Sequence, residues 1–213
     1  MLNIRHETPA DYQTVEDMTR AAFYNLYEPG CVEHYLVHTM RQHPDFIPEL
    51  ADVLTLDGKI IGNVMYTKAK LVNDAGDEKE ILTFGPLSIA PAFQRQGYGK
   101  QLLEYSFKQA RQLGYETIVI FGSPMNYVGR GFQSSYKFKV SLPNGQYPAA
   151  MMVKELKVGG LGGQHWRYYD SPVMAISEAA AQEYDATLPP LTKQHQPSQE
   201  EFYIISHAML GDN

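Results

Sequence analysis

Apolar positions recur at helical spacing near the start of the chain, at strand spacing from about residue 50, and at helical spacing again after residue 97. Leu2–His6 reads as a short strand. Thr8, Pro9 and Asp11 form a helix entry: threonine as the cap, proline at the first helical position, aspartate three residues beyond the cap. Tyr12, Val15, Met18, Ala22 and Phe23 carry that helix to about Tyr24, and a second helix is predicted over roughly Gly30–Gln42. Leu50–Leu56 and Lys59–Val72 are strand-like and are joined by Asp57-Gly58, a strong hairpin signal. A turn at Asn73–Asp77 leads into a third strand, Lys79–Ile89, so an antiparallel meander is predicted for the first half.

Beyond Pro91 the pattern changes. Leu102, Leu103, Phe107 and Ala110 mark a helix over Gly97–Leu113, stopped by Gly114. Glu116–Phe121 is a short apolar run of the kind buried in parallel sheets, which makes Lys79–Phe121 a strand–helix–strand crossover. A short helix near Met125–Arg130 and two strands, Lys137–Ser141 and Ala149–Glu155, are predicted next. Gly159–Gly163 reads as a flexible divider between a core, residues 1–157, and an extension, residues 158–213. The extension holds a helix candidate at Ser177–Tyr184, a Pro-rich linker over Pro189–Gln199, and a last helix or strand near Ser198–Met209. Trp166, Tyr168, Tyr169, Phe202 and Tyr203 would be exposed unless the extension packs on the core, so packing is expected.

Composition narrows the class. A chain of 213 residues, 44% hydrophobic and 20% charged, can build one self-sufficient core with a small extension. Cys31 is the only cysteine, which excludes an internal disulfide and a multi-cysteine metal site and points to a reducing, cytoplasmic setting. Cys31, His34 and His38 share one predicted helix face, but a fourth ligand of matching spacing is lacking, so no metal is expected. A net charge of −6 argues against nucleic acid as a partner. The N-terminus lacks a signal-peptide shape and no run of 18 apolar residues occurs, so no membrane partner is expected. Glu178, Glu183 and Asp185 read as a solvated helix face.

The stretch that carries chemistry is Gly85-Pro86-Leu87-Ser88-Ile89-Ala90-Pro91-Ala92-Phe93-Gln94-Arg95-Gln96-Gly97-Tyr98-Gly99-Lys100. A strand ends there and a Gly-x-Gly opens a helix, whose first amides are unpaired and lie at the positive dipole end. Absent side chains at Gly97 and Gly99 let phosphate oxygens approach those amides, so this is an anion site suited to a pyrophosphate. A dinucleotide fingerprint needs a glycine where Leu102 stands, and an NTP-binding loop needs Ser or Thr where Gln101 stands. With both excluded, Gln94-Arg95-Gln96-Gly97-Tyr98-Gly99 resembles the Gln/Arg-x-x-Gly-x-Gly/Ala motif of the GNAT superfamily of N-acetyltransferases. Gly122-Ser123-Pro124-Met125-Asn126-Tyr127-Val128-Gly129-Arg130-Gly131-Phe132 is similar to the family segment that carries a tyrosine just before a Gly-Phe. The resemblance spans about residues 2–156, and the extension looks like that of a bacterial branch.

That resemblance implies an α/β (α+β) fold with a mixed, mostly antiparallel sheet of six to seven strands flanked by helices. It implies acetyl-CoA as co-substrate and direct acyl transfer to a primary amine of a small molecule or peptide, with no enzyme nucleophile. This agrees with the absence of a Ser/His/Asp or Cys/His sequence signature. Leu87, Ser88 and Ile89 match the strand that pairs with the pantetheine arm, Gln94, Arg95, Gln96, Gly97, Tyr98, Gly99 and Lys100 the pyrophosphate loop, and Asn126 a neighbouring contact. Gly85-Pro86 favours a bulge or interrupted pairing at that strand. Tyr127 matches the tyrosine that protonates the leaving thiolate, and Glu80 is the candidate general base, with a water chain as the alternative. A homodimer through the extension is compatible with this reading. So is a non-catalytic acyl-CoA-binding sensor on the same fold.

Overall fold

Asp57 and Gly58 both adopt positive φ, 49° and 80°, the combination that a two-residue hairpin turn requires. They join β2 (Asp52–Leu56) to β3 (Lys59–Asn73) in the computed structural model, which describes residues 1–211. The elements follow in order: β1 (Leu2–His6), α1 (Tyr12–Phe23), α2 (Glu33–Met40), β2, β3, β4 (Glu78–Ile89), α3 (Tyr98–Gln112), β5 (Thr117–Phe121) and α4 (Pro124–Tyr127). After these come β6 (Gln133–Ser134), β7 (Val140–Ser141), β8 (Tyr147–Pro148), β9 (Met151–Glu155), β10 (Trp166–Tyr169), α5 (Glu178–Asp185), α6 (Pro197–His207) and β11 (Met209–Leu210). The strand order is β1-β2-β3-β4-β5-β9-β6, with β10 pairing β3 and β7, and with β8 and β11 forming a separate ribbon. Pairing is antiparallel in β1–β2, β2–β3, β3–β10, β5–β9, β6–β9 and β8–β11, and parallel in β4–β5 and β7–β10. Seven strands of four or more residues meet the predicted number, and the two-residue β6 and β7 raise the sheet to nine.

By internal contacts the chain forms two compact units, and each draws on both sides of residue 157. The first comprises residues 1–66, 85–106 and 172–200, the second, among the described residues, 67–84, 107–171 and 201–211. In the first unit, α1 and α2 bury Val15, Met18, Leu36, Val37 and Met40 against Val53, Ile60 and Met65 of the hairpin. Asp11 ties the entry to α1: its carboxylate accepts from the Thr8 amide at 2.8 Å and from both terminal nitrogens of Arg5 at 2.6 and 2.8 Å. The Arg5 hydrogen bonds hold that carboxyl well below the usual range against the opposing effect of burial. In the second unit, Leu71, Ile81, Val119, Met151, Val153, Trp166 and Tyr168 form the core.

Several predicted boundaries shift. The second helix is shorter than Gly30–Gln42, since Gly30 has φ 99° and α2 starts at Glu33. Lys137–Ser141 is not one strand: residues 135–138 form a 3-10 turn and Lys139 adopts φ 55°, so only Val140–Ser141 pair. Gly159–Gly163 is a built turn, with Leu161 in the core and the Glu155 carboxylate accepting from the Gly159 and Leu161 amides at 3.0 Å each. Pro189–Gln199 is fastened rather than loose. Arg20 Nη1 donates to the Pro189 carbonyl at 2.9 Å, Tyr24 Oη to that of Leu191 at 3.0 Å, and Asn25 Nδ2 to that of Thr192 at 2.9 Å. Of the tail aromatics, Trp166 and Tyr168 are buried as expected, whereas Tyr169, Phe202 and Tyr203 are exposed.

At Gly85-Pro86, where a bulge or interrupted pairing is expected, the peptide bond is cis. Phe84 packs on Phe132, which packs on Phe107 of α3, while Leu87 and Ile89 approach Gly99 of the same helix.

Candidate active site

In the first unit, β4 delivers Leu87, Ser88 and Ile89 to the loop that precedes α3. Ser88 is buried with its hydroxyl 3.0 Å from that of Thr19 on α1, which pins the strand end to the helix. Leu87 and Ile89 turn the other way: a Cβ at Gly99 would lie 3.6 Å from Ile89 Cγ1 and 4.0 Å from Leu87 Cδ2. Two glutamines then fold the loop on itself, Gln94 Nε2 donating to the Ile89 carbonyl at 3.0 Å and Gln96 Nε2 to that of Ala92 at 3.1 Å. Arg95 and Gly97 adopt positive φ, 60° and 86°. A Cβ at Gly97 would meet nothing within 4 Å, so its α-carbon faces open space that a ligand can enter.

Helix α3 starts at Tyr98, and the Gln101 amide donates to the Gly97 carbonyl at 3.2 Å. The Tyr98, Gly99 and Lys100 amides thus belong to the first turn, where intrahelical acceptors do not exist. Together with the dipole of a 15-residue helix they favour an anion. The Arg95 and Lys100 side chains are solvated, Lys100 lying 3.7 Å from Glu104, and add little. The predicted set from Leu87 to Lys100 is therefore brought together as a strand–loop–helix cradle whose first-turn main-chain N–H groups have no intrahelical acceptor.

Tyr127, Asn126 and Glu80 lie in the second unit. The Tyr127 ring is half-buried, 5.8 Å from both Phe84 and Phe132 between centroids. A Cβ at Gly122 would stand 2.6 Å from Tyr127 Cε2, so only glycine at 122 leaves the ring where it is. Asn126 is exposed beside it. Glu80 is exposed and pairs with Lys68 at 3.3 Å. Four strand residues, roughly 13 Å, separate it from Phe84, so the structure does not bring Glu80 to Tyr127.

Two arrays have the distances of nucleophilic triads; of these contacts the sequence spacing announces only that of Cys31 with His34. Ser141 Oγ lies 3.0 Å from His165 Nε2, and His165 Nδ1 3.2 Å from Asp74. Cys31 Sγ lies 3.3 Å from His34 Nδ1, and His34 Nε2 3.2 Å from Asp185. Neither is built to attack. Ser141 is wholly buried and its hydroxyl donates to the Leu142 carbonyl, while the Asp74 end is solvated, the reverse of a working triad. Cys31 is buried and desolvation pushes its thiol far up, which disfavours the reactive thiolate. Asp185, expected on a solvated face, is instead held by Arg20 Nε at 2.7 Å. His34 turns to Cys31 and Asp185 and His38 to Glu16, so the histidines do not converge. Among the described residues no three His, Cys, Asp or Glu side chains gather as a metal-binding group.

One carboxylate near the α1–α2 connection predicts a pH effect. Burial raises the Glu33 carboxyl to about 7 despite hydrogen bonds from its own and the Val32 amides, and nearby Glu28 adds to the rise. The folded chain then binds more protons than the unfolded one between about pH 4.5 and 7, so stability falls as pH rises through that window. Glu33→Gln removes the fall. Its melting temperature should exceed that of the parent by about 5 °C at pH 8 and match it at pH 4; equal values at pH 8 would contradict the burial argument.

Residues 14–132 match the acetyltransferase (GNAT) family. The chain is 28% identical over 131 residues to the uncharacterised N-acetyltransferase YhbS of Escherichia coli, covering 61% of this chain and 72% of that protein. It is 24% identical over 98 residues to the likewise uncharacterised YjhQ of the same organism, over 46% of this chain and only 54% of YjhQ. The crystal structure of YhbS in complex with CoA superposes with a TM-score of 0.70 at 23% identity, covering 82% of this chain and 92% of YhbS. A GNAT acetyltransferase from Brucella melitensis in complex with acetyl-CoA gives 0.63 at 21% identity, over 82% and 98% of the two chains. At these identities the likenesses show a shared fold.

Proposed function

The chain belongs to the acetyltransferase (GNAT) family, and from that membership we propose that it transfers an acetyl group from acetyl-CoA to a primary amine of a small molecule or peptide in one ternary complex. The observation that carries this reading is the main-chain cradle at residues 95–100, with its positive-φ Arg95 and Gly97 and the open first turn of α3. In this proposal those amides hold the CoA pyrophosphate, and the backbone of Leu87 and Ile89 lines the pantetheine arm. Ser88 fixes that strand end through Thr19, Gln94 and Gln96 keep the loop shape, and Asn126 adds a neutral contact. The acceptor side is assigned to α1, α2 and residues 172–200, which belong to one unit.

The amine nitrogen attacks the thioester carbonyl, and the oxygen charge that develops is stabilised by the Leu87 amide. The C–S bond then breaks and leaves a thiolate, while the nitrogen gives its surplus proton to water. Tyr127 is assigned the proton for the thiolate: a phenol near pKa ~10 can donate to a sulfur whose conjugate acid lies near ~8.5. Its ring is held by Phe84, Phe132 and the missing side chain at Gly122, which supports a positioned role.

Release of CoA thiol across a panel of amines and peptides tests the reaction. Tyr127→Phe should lower that release on the order of 100-fold and leave the thermal shift caused by acetyl-CoA intact. Equal release would remove the proton-donor role. Binding without turnover by the parent protein on any amine would favour an acyl-CoA sensor.

A further inference from the structure

Helix α6 and strand β11 are far more apolar than their exposure warrants. Among the described residues of α6 none is buried, although it carries Phe202, Tyr203 and Ile204 in succession. These stand 36%, 58% and 60% exposed, and Met209 and Leu210 of β11 47% and 39%. Tyr136, 48% exposed, continues the patch: it lies against Tyr147, which pairs with Leu210, and a Cβ at Gly211 would touch its ring at 3.3 Å. An apolar helix of this kind is expected to be covered.

We infer that a second copy of this chain covers it, with the two α6 helices packed antiparallel across a two-fold axis. Three observations select that occupant. Six side chains open to this degree leave on the order of 500 Å² exposed, at the top of the range for a monomer and most of the roughly 800 Å² that each partner of a standard interface contributes. The middle of the patch carries no charge, so a two-fold axis, which sets a surface against itself, opposes no like charges there. On α6 the carboxylates are at one end, Glu200 and Glu201 in the first turns, and the last turn carries the imidazole of His207. Antiparallel packing puts the acidic end of one helix beside the imidazole of the other, whereas parallel packing would stack carboxylate on carboxylate. A bilayer fits less well, because α6 has no Lys or Arg to meet anionic headgroups. This inference stands apart from the acetyl-transfer reading.

Sedimentation equilibrium on the full chain at tens of micromolar tests it. The parent protein should run at twice its chain mass of 24.1 kDa. Tyr203→Glu with Ile204→Glu should halve the mass while circular dichroism is unchanged, and the milder pair Tyr203→Ser with Ile204→Ser should weaken association at least tenfold. A parent protein at single-chain mass, or variants that stay paired, would overturn the inference. So would a single-chain species that floats with phosphatidylglycerol vesicles, which would make the patch a membrane contact.

Discussion

Gly97→Glu is expected to abolish the thermal shift produced by acetyl-CoA. A ligand at a hundred times its dissociation constant stabilises a protein by about 2.7 kcal/mol, roughly 5–10 °C for a chain of this size. The substitution acts on two links at once. At φ 86° any L side chain is strained, by about 1–2 kcal/mol. The new carboxylate also enters the open space above the α3 amides, where the proposed reading puts the pyrophosphate. Gly97→Ala separates the two effects: it carries the same strain without the charge and should keep much of the shift. An undiminished shift in Gly97→Glu would place the pyrophosphate somewhere else.

Arg41→Ala should lower the melting temperature on the order of 10 °C. The Arg41 side chain is 5% exposed and meets Glu7 and Glu16, whose side chains are 4% and 7% exposed. Two hydrogen bonds of 3.0 and 2.8 Å join it to Glu7, and another joins it to Glu16. Burial works against the guanidinium charge, but the two carboxylates outweigh it and raise its pKa. Its guanidinium carbon stands over the Tyr12 ring, 4.0 Å from the centroid. Removing the cation leaves two desolvated anions facing each other, a loss of about 3–5 kcal/mol. Glu16 would retain only Tyr184 Oη, at 2.6 Å, and His38 Nδ1, at 3.2 Å. A melting temperature within about 2 °C of the parent would mean that solvent reaches this cluster and screens it.

What could be read from the chain was what is local. Asp57-Gly58, Gly114 and the Thr8–Asp11 entry each sit where a few neighbouring residues decide the backbone, and the elements they bound appear close to their predicted limits. The strand–loop–helix geometry at residues 87–100 was legible for the same reason, since glycines within one short stretch shape it. The cluster around Glu16 was not, because Glu16, His38, Arg41 and Tyr184 meet only after α1, α2 and α5 have packed. A glutamate on a helix looks solvated until its neighbours are known, and so did Asp185. Lys137–Ser141 alternates like a strand, and nothing in that alternation reveals the left-handed turn at Lys139. The short β6 and β7 hold too few residues to have a period at all.

The fastening of residues 189–192 has a consequence for how this chain can drift and be rebuilt. Pro189, Leu191 and Thr192 are gripped by their carbonyl oxygens, which every amino acid supplies. The information that seats this stretch therefore resides elsewhere, in Arg20, Tyr24 and Asn25, and Asn25 uses its amide in both directions, donating to Thr192 and accepting from Gln194 at 3.0 Å. Side chains along the stretch are left free to diverge among descendants while its path endures, and it offers a natural cassette for grafting foreign sequence onto an unchanged scaffold.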